Sequence, residues 1–193
     1  DSLYLRPGDL VTFIGNHDQK RFMGEENASP EKPKAAFGLL MTLRGIPQLY
    51  SGDEIAVTGG DDPDNRHDFP GGWPQDPQNA FSEQGRTPEQ QQVFSYLKSM
   101  IALRKEHSAL REGHQWTIGA SEKYFVYLRD DGKEKILVVF NVGNQAVKLE
   151  LRDTPIANAT ALQRLMGAAE ASVGNGALTV EHPEYGVAVY SVK

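Results

Sequence analysis

The sequence predicts an α/β segment followed by a small antiparallel β domain, and three observations carry that prediction. Two short apolar runs, 10–14 (LVTFI) and 46–50 (IPQLY), flank a helix-compatible stretch, which is the spacing of a βαβ unit with a parallel sheet. A second, longer helical pattern follows. Beyond about Leu110 the apolar period changes from about 3.6 residues to 2.

Taken in order, run 10–14 reads as a strand ending in the polar junction Gly15-Asn16-His17-Asp18. A loop rich in Glu, Asn, Ser and Pro leads to 34–43 (KAAFGLLMTL), a helix with Pro33 suited to its first turn. Gly45 breaks that helix, and run 46–50 reads as a buried strand. Residues 51–84 are loop-like, and so long a connection is uncommon unless it lines a site or lacks order. Thr87 is placed to cap the next helix, with Pro88 in its first turn and Glu89 as an early acidic residue. Val93, Tyr96, Leu97, Met100, Ile101 and Arg104 recur at helical spacing, to an end near Lys105-Glu106-His107.

Strands then read at 124–129 (YFVYLR), 136–142 (ILVVFNV), 147–151 (VKLEL) and 187–192 (VAVYSV). Asp130-Asp131-Gly132 turns the chain between the first two. The domain boundary is expected near residues 108–112, dividing 1–110 from 111–193, with no internal repeat.

Two parallel strands alone would leave apolar surface and unpaired edges. The α/β segment therefore reads as the end of a repeating βα fold whose earlier units are absent. The alternative is a two-strand layer covered by the β domain. The chain opens on Asp1, which fits processing or cropping from something longer, and equally a convention of where the sequence was cut.

The 193 residues hold 26 acidic and 20 basic side chains, a formal charge of −6, which argues against a nucleic-acid footprint. Cysteine is absent, which excludes disulfides, thiolate nucleophiles and thiolate metal sites. No apolar stretch is long enough to span a membrane and no secretory leader opens the chain, so a membrane partner is not expected. The compartment, cytoplasmic or secreted, stays open.

A loop directly after a parallel strand is where α/β enzymes place functional groups. Here it carries Asn16, His17 and Asp18, with Arg21 close behind. An imidazole beside a carboxylate can orient and charge-balance it, and an amide can recognise hydroxyls; a purely structural junction is the other reading. After the second run come Asp53 and Glu54, then Asp61, Asp62, Asp64, Arg66, His67 and Asp68. Oxygen ligands could suggest calcium, but the EF-hand pattern is not met. Sugar recognition suits these carboxylates and the guanidinium better, with Phe69, Trp73 and Phe81 as faces for stacking or for packing the loop.

Other chemistries are weakly supported. Ser51 beside Gly52 makes no nucleophile elbow, and no Ser-His-acid order specifies a triad. Gly59-Gly60 and Gly71-Gly72 read as turns. His107, His114 and His182 are too scattered to be metal ligands.

Three motifs in order resemble the α-amylase family of glycoside hydrolases. FIGNHD (13–18), with QKRF (19–22) behind it, is similar to the family's segment after barrel strand seven. RGIPQLYSGDEI (44–55) resembles strand eight and its exit, and GGDDPDNRHDFPGGW (59–73) resembles the next substrate-side loop in cyclomaltodextrinase- and neopullulanase-like members. The long helix and β domain fit the last barrel helix and C-terminal domain, so the resemblance covers essentially the whole chain.

The resemblance implies the last two βα units of a (β/α)8 TIM barrel plus a C-terminal antiparallel β-sandwich. It implies a retaining mechanism in which Asp18 matches the third carboxylate, a transition-state stabiliser. His17 matches the neighbouring sugar-binding histidine, Asn16 the motif's asparagine, and Asp62 with Arg66 a sugar-binding pair. No cofactor is implied; a structural calcium in the parent enzyme lacks support in these residues. The nucleophile and acid/base segments do not occur here, and Glu25, Glu26 and Asp53 carry no motif that would promote them to those roles. The implied partners are an α-glucan or maltooligosaccharide and the missing N-terminal barrel portion of the same enzyme. The expected function is that of a fragment of an α-glucan hydrolase, inactive in isolation. A glucan transferase fragment, or a non-catalytic carbohydrate-binding or assembly module, are the alternatives.

Overall fold

The computed structural model describes residues 3–23 and 29–193, so Glu25 and Glu26 lie outside the described residues. Strand β1 (Val11–Thr12) and strand β2 (Ile46–Pro47) pair in parallel, Val11 opposite Ile46 and Thr12 opposite Pro47. Both are shorter than the five-residue runs of the sequence, because regular pairing is confined to this short overlap. Ile46 N donates to Leu10 O at 2.9 Å and Gln48 N to Thr12 O at 2.8 Å. Val11, Phe13 and Ile46 stand about half exposed, at 51%, 45% and 53%, which is the apolar surface a two-strand layer leaves open.

Helix α1 (Glu31–Thr42) connects the two strands, starting three residues earlier than the apolar pattern alone indicates. Helix α2 (Pro88–Glu106) begins as its sequence demands. The Thr87 side chain accepts from Gln90 N and the Gln90 side chain accepts from Thr87 N, a complete capping box. A short helix α3 (Ser108–Glu112), not anticipated from the sequence, crosses the region of the expected boundary.

Eight strands follow in two antiparallel sheets among the described residues. The first contains β3 (His114–Ala120), β4 (Tyr124–Asp130), β5 (Lys135–Asn141), β7 (Leu162–Met166) and β10 (Gly186–Val192), ordered β3-β4-β5-β10-β7. The second contains β6 (Val147–Arg152), β8 (Glu170–Gly174) and β9 (Ala177–His182), ordered β6-β9-β8. The central strands β4, β5 and β10 of the larger sheet are buried on both faces. Tyr127, Ile136, Val138, Phe140, Val187 and Val189 pack against α1 and α2, while Val126, Leu128, Leu137, Val139, Ala188 and Tyr190 pack against the smaller sheet. Two covered faces explain why β4 and β5 read as continuous apolar runs, whereas β6, with one face in water, alternates VKLELR.

Two buried guanidinium groups join these layers. Arg104 of α2 donates to Met41 O, Leu43 O and Gly45 O at 2.8, 2.9 and 2.7 Å. Arg129 of β4 donates to Thr42 O at 2.6 Å and Gly113 O at 3.0 Å. They meet the carbonyl end of α1, where cations are favoured. Burial pulls Arg129 down to about 10. Among the described residues no helix is long and apolar enough to cross a membrane.

Candidate functional site

The site forms where the exits of β1 and β2 meet. Asn16 folds the first loop on itself: its Oδ1 accepts from Asp18 N at 2.9 Å, a local turn typical of asparagine. This brings His17 Nε2 to 3.2 Å from Asp18 Oδ1. The Asp18 carboxylate is 68% exposed and faces away from the core.

The second loop brings its groups to the same place. After Tyr50 it makes a 3-10 turn at Asp53–Ile55 and another at Asp64–Arg66, so the stretch read as loop-like carries short local elements. Arg66 is the meeting point. Its Nε lies 2.9 Å from Asp62 Oδ1 and donates to His17 O at 3.1 Å, while its Nη2 lies 3.8 Å from Asp18 Oδ1. Asn16, His17, Asp18, Asp62 and Arg66, far apart in sequence, are thus neighbours. Two carboxylates, an imidazole and a guanidinium on one open surface are suited to neighbouring sugar hydroxyls, each of which both donates and accepts.

The remaining acidic groups do not gather as cation ligands. Asp61 pairs with Lys20 at 3.1 Å; Asp64 takes His67 at 2.8 Å and Gly60 N at 2.5 Å. Among the described residues no group of three or more acidic or histidine side chains is arranged to hold a metal ion. The Asp61 and Asp64 carboxylates are engaged by Lys20 and His67, and calcium stays without support in these residues. Of the aromatics, Phe69 and Phe81 pack on each other at 4.5 Å between ring centroids, while Trp73 is 61% exposed.

Three buried residues beneath the site were not legible as such from the sequence. Arg21 is 4% exposed, Asp53 6% and Asn65 1%. Arg21 Nη1 donates to Ser51 O at 2.6 Å and lies 3.3 Å from Asp53 Oδ1, with its guanidinium carbon 3.9 Å from the centre of the Tyr50 ring. Burial raises the Asp53 carboxyl above the usual range, and the Arg21 charge only partly offsets it. Asp53 is part of the support, out of reach of the open surface.

Two family descriptions match parts of the chain. Residues 6–90 match the family description "Alpha amylase, catalytic domain", and residues 117–189 match "Maltogenic Amylase, C-terminal domain". A cyclomaltodextrinase of Geobacillus thermopakistaniensis is 30% identical over 187 residues, covering 94% of this chain and 29% of that protein. A cyclomaltodextrin glucanotransferase of a Bacillus species (strain 1-1) is 35% identical over 136 residues, 70% of this chain and 17% of its own length. Among solved structures, the α-amylase of Geobacillus thermoleovorans in complex with acarbose superposes with a TM-score of 0.79 at 26% identity, over 98% of this chain and 40% of that one. An Anoxybacillus α-amylase gives 0.80 at 23% identity and shares the fold. The chain spans less than a third of these curated relatives and about two fifths of these solved chains.

Proposed function

We propose a function from one premise: the chain belongs to the α-amylase family of glycoside hydrolases and matches the C-terminal part of its members. On our reading, residues 1–110 are the end of a catalytic (β/α)8 barrel and 111–193 its C-terminal β domain. The whole enzyme is a retaining hydrolase of α-glucosidic linkages in maltooligosaccharides, cyclodextrins or starch-like glucans. Its other partner is the N-terminal barrel portion of the same enzyme.

One observation carries this reading: Asp18, at the exit of β1, is met from the β2 loop by Arg66, itself paired with Asp62. A retaining glycosidase passes through a transition state with positive charge at the reacting carbon, and needs one carboxylate to attack and another to protonate the leaving oxygen. Asp18 supplies a third function. It opposes the developing positive charge and holds hydroxyls of the distorted sugar, with His17 and Asn16 beside it. Asp62 and Arg66 grip the neighbouring sugar. Neither the attacking nor the protonating role is matched by a motif of this chain. The 35% identity to a cyclomaltodextrin glucanotransferase supports a second reading, in which a sugar hydroxyl rather than water resolves the glycosyl-enzyme intermediate.

The test measures reducing-end release from a maltooligosaccharide by the purified 193-residue chain, alone and combined with the rest of its barrel, with both components verified by mass. We expect no hydrolysis by the chain alone and turnover by the completed barrel, because geometric assembly of several groups supplies catalysis. Robust turnover by the isolated chain, abolished by Asp18→Asn, would overturn the proposal.

A further inference from the structure

We propose that Arg21 and Asn65 form a reciprocal clamp that positions Asp18 and His17 against Asp62 and Arg66, making both buried residues positioning residues for the reaction. This rests on the reading of Asp18 as catalytic and goes beyond it, since neither residue reaches the open surface.

The clamp is built from donors sent both ways between the two loops. From the first loop, Arg21 Nε donates to Asn65 O at 2.9 Å, and Arg21 N donates to Gly59 O at 3.0 Å. From the second, Asn65 Nδ2 donates to His17 O at 2.8 Å and Gln19 O at 2.9 Å. These two carbonyls bracket Asp18 in the chain. His17 O also accepts from Arg66 Nε, so the backbone on one side of Asp18 is held by two donors from the opposite loop. Arg21 is anchored from below through Ser51 O, Asp53 and the Tyr50 ring, which ties the assembly to the exit of β2.

The two loops meet too closely to tolerate a side chain at their crossing. A Cβ placed on Gly59 would lie 2.7 Å from Asp64 O, 2.9 Å from Asn65 Cα and 3.0 Å from Arg21 Cγ. Asp18 itself makes few contacts and is largely exposed, so its position depends on its backbone. Charge stabilisation works only when the carboxylate is held where charge develops, and a displacement of about 1 Å can cost on the order of a hundredfold in rate.

The experiment uses the intact polypeptide that carries this chain, with Asn65→Asp, Arg21→Lys, Arg21→Met and Asp18→Asn made in parallel. Asn65→Asp keeps the size but removes the two donors to His17 O and Gln19 O. Arg21→Lys keeps the charge but loses the fork. We expect kcat per folded molecule to fall about tenfold to a hundredfold in both clamp variants, with Arg21→Lys retaining more activity than Arg21→Met. Hydrogen exchange on the same intact polypeptide gives a second readout, in which Asn65→Asp and Arg21→Lys each speed exchange of the amide at position 21. A lower folded yield with unchanged kcat and unchanged exchange would overturn the clamp and leave the two residues purely structural. If one clamp variant does not fold, the other is read the same way. Normal turnover by Asp18→Asn would sink the catalytic reading instead, and the exchange result would still decide whether the clamp holds the loop.

Discussion

Asp18→Asn nearly preserves shape while removing the charge, and the side chain has little packing to lose at 68% exposure. Folding and thermal midpoint of the complete enzyme should therefore change little. In the role proposed for Asp18 its charge acts mainly in the transition state, so turnover should fall by at least about a hundredfold, through kcat rather than through substrate binding. Near-normal kcat on a soluble maltooligosaccharide would remove Asp18 from the mechanism. A polar junction directly after an apolar strand is a local pattern, which made Asn16, His17 and Asp18 candidates from the residues alone, whereas Asp62 and Arg66 were picked out of the charged DDPDNR loop only by the family resemblance. Arg21 and Asp53 stood out only as charged neighbours and Asn65 not at all, because the buried support they form lies in contacts 30 to 48 residues apart and in burial that residue type alone does not announce. Asn65 in particular read as one more loop residue. Only a cross-loop hydrogen-bond count shows it feeding two carbonyls.

Elements with strong local rules matched their sequence: the Thr87 cap, the turn expected at Asp130-Asp131-Gly132, which closes between Asp131 and Glu134, and the apolar runs of β4, β5 and β10. The strands β3, β7, β8 and β9 passed unnoticed, since LQRLM and EASVG mix small, polar and charged residues and owe their conformation to the neighbours they pair with. Packing can also reverse a local preference. Gly38 sits mid-helix in α1, where alanine is better by about 1 kcal/mol on propensity. Yet a Cβ there would lie 2.7 Å from Val187 Cγ2 and 2.6 Å from the Tyr96 hydroxyl, so α1 rests almost directly on β10. Overpacking costs about 1–3 kcal/mol, and Gly38→Ala should lower the urea midpoint rather than raise it.

The turn between β4 and β5 clasps the corner of α2 and α3. Asp131 accepts from the Ser108 hydroxyl, and Glu134 meets His107 Nδ1 at 2.9 Å and Ala109 N at 3.0 Å. The Ser108 bond, followed by bonds from the amides of Glu134 and Lys133, lowers Asp131 from 3.8 to about 2. Partial burial raises Glu134, but its bonds to His107 and Ala109 outweigh that and leave it lowered. A carboxyl lowered on folding stabilises the fold above its unfolded value and loses that contribution as pH falls toward its folded value. Asp131→Asn should therefore unfold at a lower temperature than the parent at pH 6. The gap should narrow as pH falls from 3.8 toward about 2. A gap independent of pH in thermal scans would show that the clasp does not act through charge.

At the scale of the whole molecule, the β region is the wall on which α1 stands. Tyr127, Ile136, Val138, Phe140, Val187 and Val189 form one continuous core with Ala35, Phe37, Leu40 and Met41, so removing residues 113–193 would strip α1 of much of its apolar cover. The polar side of the joint is equally shared. Arg129 is fully buried, and its two bonds reach Thr42 O at the end of α1 and Gly113 O ahead of β3. Hydrogen bonds to charged groups contribute about 1.5–3 kcal/mol each, while replacing a buried cation recovers part of its desolvation cost. Arg129 keeps its Nε buried without a partner, yet Arg129→Leu would leave two buried carbonyls without this donor, a loss we expect to outweigh the recovered desolvation. We expect that variant to lose about 2 kcal/mol or more in urea unfolding of the 193-residue chain. Deleting 113–193 from the complete enzyme should have a larger effect, lowering folding yield and solubility through the newly exposed face of α1 and α2. The two experiments read different parts of one joint, its polar pin and its apolar surface. A truncated enzyme with unchanged thermal stability would show that the barrel end needs no support from the β region, and would confine the Arg129 effect to the β region itself.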